Sequence, residues 1–367
     1  MKIEKLKLLN FKNYAFEELE FSSKINVLTG INGSGKTNLL DAIHYLSFTR
    51  SAFNSSDYQN IKHGENHFFI KGKLSIDASS HEISCGVQVG LKKSFKDGSV
   101  EYQKLSEHIG KYPVVLLAPD DVDLIKDGNE SRRKFFDSII AQIDKVYLDN
   151  LIQYNSCLKQ RNGLLKIFQE SGSVDWVALE SYDHILIPTG NVIYNKRKAF
   201  VQEFLPIFQG FFNFLVDNKE LMNLNFSSGL DEIDFGDGLF RNRSKDLVLQ
   251  RTNFGIHRDE YEFTLGDGDL RKLGSQGQQK SFVIALKLAQ NEIIKKHKGF
   301  SPILLLDDIF DKLDDLRIAR LLELIKNDLG QLFITDARPE RTKSLLQQIN
   351  VLASIFVVKD GKVNSDG

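Results

Sequence analysis

The chain has 367 residues, of which 41% are hydrophobic, and its 48 Lys and Arg stand against 49 Asp and Glu for a formal net charge of −1. This length and apolar share suffice for one large domain or two ordinary ones with a sizeable core, which places the chain in the globular class. The near-zero balance excludes bulk basicity as an argument for nucleic acid, so such a partner has to be met by a local patch of Lys and Arg.

The opening MKIEKLKLLNF alternates charged with apolar residues and lacks the apolar core of a signal peptide, so a cytoplasmic location is expected. IEKLKLLNF and LEFSSKINVLTG read as β-strands. HFFIKGKLSI and HEISCGVQVG alternate, with Ile83, Cys85, Val87 and Val89 on one face, and complete a partly antiparallel sheet. From Arg132 the period changes: Phe136, Ile140, Ile143, Tyr147, Leu151, Tyr154 and Leu158 fall three or four apart, which is an apolar helical stripe. The most apolar run, FLPIFQGFFNFLV from Phe204 to Val216, is too short for a bilayer and is interrupted by Pro206, Gln209, Gly210 and Asn213, so it reads as a core helix and no membrane partner is expected. LVLQRTNFGIHRDEYEFTL, residues 247–265, reads as a return to strand. Beyond it come a helix from Gln278 to Lys298, a strand from Ile303 to Leu306, a helix around Leu316 to Ile325 and a strand from Leu332 to Thr335. Asp360-Gly361 suits a terminal hairpin turn. The layout predicts an α/β fold divided by a helical insertion, with an N-terminal lobe at 1–125, a helical arm at 126–245 and a C-terminal lobe at 246–367. The two cysteines, Cys85 and Cys157, have no metal-ligand spacing and read as reduced core residues.

Three motifs carry chemistry. Gly30-Ile31-Asn32-Gly33-Ser34-Gly35-Lys36-Thr37 has the spacing of a phosphate-binding P-loop, with a strand before it and a helix, starting near Asn38, after it. Its glycines let backbone N–H groups wrap a phosphate, Lys36 reaches the β- and γ-phosphates of ATP, and Thr37 supplies a Mg²⁺ ligand. ILLLDD, residues 303–308, reads as a strand buried on both faces that ends in acids at its carboxyl edge. Asp307 there is expected to hold Mg²⁺ through water and Asp308 to orient or deprotonate the attacking water. Should Asp308 stand where a glutamate would, its reach is shorter by about one methylene, ~1.5 Å, and hydrolysis is expected to be slow. LGSQGQQKS, residues 273–281, is polar and glycine-rich and directly precedes a helix whose last turn carries Lys295, Lys296 and Lys298. Its N-terminus faces something negative, and since the P-loop has its own helix, a phosphate presented by a second copy fits.

At this point the sequence resembles the ABC-type ATPases, whose signature loop matches Ser275-Gln276-Gly277-Gln278 with one substitution. The resemblance implies that Ser275, Gly277 and Gln278 receive the γ-phosphate held by an opposing protomer. The match narrows further. LLNFKNY, GINGSGKTNLLDAIHYLS, SRRKFFD at 131–137, GIHRDE at 255–260 and Leu306-Asp307-Asp308 together resemble the RecF family of bacterial recombination mediators. Ile256 stands where that family usually has proline, Asp336 stands where many ABC ATPases have a switch histidine, and DKLD at 311–314 fits a D-loop at its final Leu-Asp. The resemblance implies an ABC-type ATPase head of mixed sheet and flanking helices with an inserted arm. It further implies a homodimer formed around two ATPs, weak ATPase activity, binding to double-stranded and gapped or single-stranded DNA, and work with RecR and RecO in placing RecA. Lys92, Lys93, Lys96, Arg132, Arg133 and Lys134 are the candidate DNA contacts, with Arg132 and Arg133 equally suited to internal ion pairs, and Tyr14 is a candidate for stacking near adenine that a buried core tyrosine explains as well. Arg258 and Asp259 are readable as a structural pair. A transporter nucleotide-binding subunit and a chromosome-organising head of the SMC type are the competing readings. The long stretch between Gly30 and Ser275 disfavours the first, and the short stripe from Phe136 to Leu158 disfavours the second.

Overall fold

The computed structural model describes residues 1–216, 222–312, 314–326, 329–348 and 352–366. The chain forms two compact units: Met1–Val122, Phe211–Lys219 and Gln276–Gly367 make the first, and Asp123–Gly210 with Glu220–Ser275 the second. Residues 246–275 lie in the second unit, where the strand Glu260–Leu265 pairs with Met222–Ser227.

In the first unit, strands Lys2–Phe11 (β1), Tyr14–Glu20 (β2), Ile25–Thr29 (β3), His67–Ile76 (β4), Ser79–Gln88 (β5), Ser94–Asp97 (β6), Val100–Glu101 (β7) and Val114–Leu117 (β8) precede the arm. β1, β2 and β4 to β7 form an antiparallel sheet of order β2-β1-β4-β5-β6-β7. A register shift between Ile3 and Lys5 inserts one residue into β1, so inward positions pass from Ile3 to Leu6 and Leu8. The second sheet joins β3 and β8 to Ile303–Leu306 (β12), Leu332–Asp336 (β13), Ala353–Lys359 (β14) and Lys362–Asp366 (β15), after three arm strands, β9 to β11, described below. Its order is β15-β14-β3-β13-β12-β8, parallel throughout except β15. β3, β12 and β13 are buried at every position, as strands covered on both faces are, and β12 is apolar throughout. Asp360 and Gly361 both take positive φ in the β14–β15 turn, as a two-residue hairpin loop demands.

Helix Lys36–Phe48 (α1) packs into a single core with both sheets: its Leu39, Leu40, Ile43 and Leu46 join Leu6, Leu8, Ile70 and Ile83 of the first sheet and Leu28, Leu305 and Phe333 of the second. Each such side chain contributes about 1.5–3 kcal/mol by leaving water. Gly72 makes the close approach possible, since a Cβ there would lie 2.5 Å from Leu46 Cδ1.

The second unit holds helices Asp123–Lys126 (α2), Asn129–Ile143 (α3), Lys145–Ser171 (α4), most of Trp176–Val216 (α5), Phe235–Leu249 (α6) and Leu270–Leu273 (α7). Strands Met222–Ser227 (β9), Glu260–Leu265 (β10) and Gly268–Asp269 (β11) form an antiparallel sheet of order β11-β10-β9. The expected stripe is divided between two helices: Asp144 leaves helical geometry and caps α4 by accepting the Tyr147 N–H at 2.9 Å. LVL at 247–249, read as strand, ends α6 instead, and Gln250 stops that helix in the left-handed region at φ 53°. α5 is long and apolar enough to cross a membrane by length and composition, and it contains Pro188 and Pro206. Its Leu179, Leu186, Ile193, Phe200 and Phe204 are buried in the protein at helical spacing, as in a core helix. Cys85 and Cys157 are free and buried.

The remaining helices of the first unit, Gln276–Lys298 (α8), Asp315–Lys326 (α9) and Pro339–Gln348 (α10), alternate with β12 and β13.

Candidate nucleotide site

The loop between β3 and α1 is shaped by three glycines at positive φ: Gly30 at 152°, Gly33 at 81° and Gly35 at 120°. Gly30 also has no room for a side chain, since a Cβ would lie 2.2 Å from the Val358 carbonyl. Two neighbours brace the loop from below. Asn13 Nδ2 donates to the Ser34 carbonyl at 2.9 Å, Asn38 Nδ2 donates to Asn13 Oδ1 at 2.8 Å, and the Tyr14 hydroxyl donates to the Gly35 carbonyl at 2.9 Å. Tyr14 is fully buried in this role, as the core reading of it expects. Ile31, Asn32 and Gly33 are exposed at the crest. Lys36 folds back over the loop, its ammonium donating to the carbonyls of Gly30 at 2.8 Å and Ile31 at 3.1 Å.

Strand order brings the distant acids to this loop. β13 lies between β3 and β12; Thr335 pairs with Leu28 of β3 and stands one residue past the last β12 pair, Leu306 with Ile334, level with Asp307. The Thr37 hydroxyl lies 3.0 and 2.9 Å from the two carboxylate oxygens of Asp307, and Thr335 Oγ1 donates to Asp307 Oδ1 at 2.7 Å. The same Thr335 oxygen accepts the Asp308 N–H at 2.8 Å, holding the turn that leaves β12. Asp308 is half-buried and sits at φ 45°, a left-handed conformation that aspartate tolerates better than most residues. Asp307 is only 5% exposed, and burial raises its pKa above the ordinary carboxylate value; the hydrogen bonds from Thr335 and Thr37 and the charge of Lys36 oppose this, while Asp120 adds to it. Asp120 follows β8, whose Leu117 carbonyl accepts the Asp307 N–H at 2.8 Å.

The residues fit a bound Mg²⁺-triphosphate. Ser34 Oγ is buried without a hydrogen-bond partner, and the Asp307 carboxylate is buried against the Thr37 hydroxyl, where a cation would offset the cost of its burial. Among the described residues no three His, Cys, Asp or Glu side chains cluster as a metal cage. Thr37 and Asp307 supply two hard oxygens, which is the usual protein share for Mg²⁺ that keeps its remaining sites for water and phosphate.

Ser275 is exposed immediately before α8, and Gly277 and Gln278 lie in that helix's first turn, with Lys295, Lys296, His297 and Lys298 in its last. Asp336 is buried and committed: its carboxylate accepts the Arg338 N–H at 2.8 Å and the Thr342 hydroxyl, so it fastens the start of α10. Leu313 of the D-loop candidate lies outside the described residues, and the adjacent Asp314 is exposed and paired with Arg317.

The DNA candidates separate into three groups. Lys93 is held by Asp57 at 2.7 Å, the Thr49 carbonyl at 2.8 Å and the Tyr45 hydroxyl, so its charge is used inside the fold. Arg132 is buried, with its guanidinium donating to the carbonyls of Leu124, Ile125 and Tyr261, and this corrects its assignment as a surface contact. Arg133 is partly engaged through the Asp259 carbonyl at 2.7 Å, and Lys134 is exposed beside Glu130. Lys92 is exposed and Lys96 half-buried.

A family model described as RecF/RecN/SMC N terminal domain matches residues 2–364. The DNA replication and repair protein RecF of Cytophaga hutchinsonii is 46% identical over 99% of this chain and 96% of its own length, and that of Flavobacterium johnsoniae 44% identical over 97% and 99%. The chain belongs to the RecF family. A solved structure of the recombination mediator protein RecF with ATP in the RecFOR pathway superposes with a TM-score of 0.89 at 30% identity, over 100% of this chain and 97% of that one. An Smc head bound to the C-terminal winged-helix domain of ScpA matches with a TM-score of 0.58 at 19% identity, covering 100% and 97%, and shares the fold alone. The fold is thus the ABC-type head of RecF and SMC proteins, with a long helical arm.

Two sequence stretches that resembled RecF, SRRKFFD and GIHRDE, meet inside the arm at a residue that sequence reading missed. Arg197 of α5 is buried and pairs with Asp137 at 2.9 Å and Asp259 at 2.7 Å, and donates to the Ile256 carbonyl at 2.7 Å. Asp259 therefore pairs with Arg197 and not with its neighbour Arg258, which is exposed and donates to Asn253. Asn13, Thr335 and Arg197 gave no local signal, because each acts on residues more than twenty positions away.

Proposed function

We propose that this RecF-family chain is an ATP-gated DNA-binding protein of recombinational repair, whose slow hydrolysis acts as a timer. The contact of Thr37 with both oxygens of Asp307, at the base of a complete P-loop, carries the reading. Gly30 to Asn38 wrap the triphosphate of ATP, and Lys36 exchanges two backbone carbonyls for phosphate oxygens. Thr37 and Asp307 hold Mg²⁺, which neutralises charge on the β- and γ-phosphates when bound. Asp308 orients the water. Ser275, Gly277 and Gln278 receive the phosphate of a second copy, so ATP links two chains. The solved relatives described as RecF-ATP and RecF-ATPrS in the RecFOR pathway support the nucleotide assignment, and the proposed place of this chain is beside RecR and RecO in the loading of RecA. Lys92, Lys96, Arg133 and Lys134 are the remaining candidates for sequence-independent phosphate contacts to duplex, gapped or single-stranded DNA. No step requires a membrane, and the cytoplasm is the compartment such a protein occupies.

Titration calorimetry with ATP, with and without Mg²⁺, followed by sedimentation of the same samples, tests the reading. Mg²⁺-dependent binding at one site per chain with a shift from monomer to dimer is expected. Binding that ignores Mg²⁺, or a mass unchanged by ATP, contradicts it.

A further inference from the structure

A guanidinium closes over the first turn of α8. Arg317 Nε donates to Ser281 Oγ at 2.5 Å, and Ser281 donates to the Gly277 carbonyl at 3.0 Å. The same guanidinium pairs with the Asp314 carboxylate, which also accepts the Arg317 N–H at 3.0 Å. A Cβ on Gly277 would stand 3.4 Å from Arg317 Nη1. An alanine makes ordinary contact at that distance, whereas a longer side chain has to displace the guanidinium.

A cation is poorly placed there for the helix alone. The N-terminus of a helix carries partial positive charge and cations stabilise the opposite end, where α8 already has Lys295, Lys296 and Lys298. Asp314, whose charge would suit the N-terminus, is held by the arginine instead. Asp314 compensates only one edge of the guanidinium, and an anion arriving at this turn is shared between Arg317 and the N–H groups of the helix N-terminus. Lys287 further anchors α8 through the Leu116 carbonyl at 2.8 Å and Asp121 at 2.7 Å, so the turn is presented by a helix fixed along its length.

We propose that Arg317 is a positioning residue of the signature site, tying Asp314 to the first turn of α8 through Ser281 and adding a fixed charge beside the N–H groups that receive a triphosphate from a second copy. This rests on the function proposed above. Arg317 touches no nucleotide bound to its own P-loop in this scheme, so it governs association of two chains and leaves ATP binding by one chain unchanged.

The test compares the full chain with Arg317→Ala, Arg317→Lys and Ser281→Ala. Affinity for Mg²⁺-ATP is measured on dilute monomer, and the dimer dissociation constant by sedimentation with a non-hydrolysable ATP analogue. ATP affinity is expected within about twofold of wild type throughout, while dimerisation weakens by about tenfold or more in Arg317→Ala and less in Arg317→Lys and Ser281→Ala. Unchanged dimerisation in Arg317→Ala overturns the inference, as does a parallel loss of ATP affinity, which marks a general structural role. Should Arg317→Ala fail to fold, Ser281→Ala decides by the same two readouts, since it keeps the Arg317–Asp314 pair. A wild type that binds ATP without dimerising removes the underlying reading, and the inference falls with it.

Discussion

Replacing Arg197 with methionine removes the guanidinium that joins α3, α5 and the start of β10. Two carboxylates lose their counter-charge: Asp259, whose side chain is fully buried, and Asp137, which is nearly so. Deleting one partner of a buried pair costs about 3–5 kcal/mol, because the charge left behind is uncompensated. Ser228 still donates to Asp259 and Tyr147 to Asp137, which keeps the expected loss near the middle of that range, about 4 kcal/mol. The pH dependence has a definite sign. Burial already raises the Asp259 pKa and Arg197 opposes the rise, so without Arg197 the pKa climbs further. Protonation of Asp259 in the folded variant then relieves the orphaned charge, and the deficit relative to wild type shrinks as the pH falls. Trp176 is the single tryptophan and lies in the second unit with this cluster, so its fluorescence follows the unfolding of the unit that carries the substitution. The triple variant Asp137→Asn, Arg197→Met, Asp259→Asn is expected to recover most of the loss, since no buried charge remains. A deficit for Arg197→Met below about 1 kcal/mol, or a triple variant no better than the single, refutes the assignment of this cluster as the arm's electrostatic pin.

Lys36→Ala is expected to abolish ATP binding, and Asp307→Asn to abolish its Mg²⁺ dependence, both read by calorimetry; because burial raises the Asp307 pKa, Mg²⁺ affinity of the wild type falls as the pH drops through that raised value. Ser275→Arg is expected to keep ATP binding and lose ATP-driven dimerisation, seen by sedimentation, and normal dimerisation removes the assignment of a signature loop acting between copies. His108 is fully buried, donates its Nε2–H to the Leu46 carbonyl at 2.6 Å, and has its pKa lowered to about 4 by burial. Stability from its neutral form is complete above pH 6.5 and is lost as the pH falls towards 4, by about 3 kcal/mol at ~1.4 kcal/mol per unit. His108→Gln flattens this part of the urea-stability profile, and an unaltered slope contradicts the assignment.

The P-loop was legible because its chemistry is local: one strand, eight residues and one helix supply the whole cradle. The buried strand ILLL and its two aspartates were legible from continuous hydrophobicity ending in charge. What closes the site was not. Thr335 reaches Asp307 only because β13 is inserted between β3 and β12, a strand order that no local period encodes. Tyr14 and Arg132 stayed open between a ligand and the core for a related reason. Both types are amphipathic, and sequence alone does not say whether the hydroxyl or the guanidinium meets a ligand or a carbonyl inside the fold. Residues 247–249 carried strand-like composition into a helix, since α6 buries Phe235, Leu239 and Asp246 and leaves Val248 exposed, so packing overrode propensity.

The central claim is that ATP gates binding to DNA. Fluorescence anisotropy of duplex, single-stranded and gapped DNA, titrated at two salt concentrations with no nucleotide, ADP or a non-hydrolysable ATP analogue, measures it directly. Tight binding with the ATP analogue alone, weakening steeply with salt as released counterions require, is the expected result. Equal, weak binding in all three nucleotide conditions contradicts it.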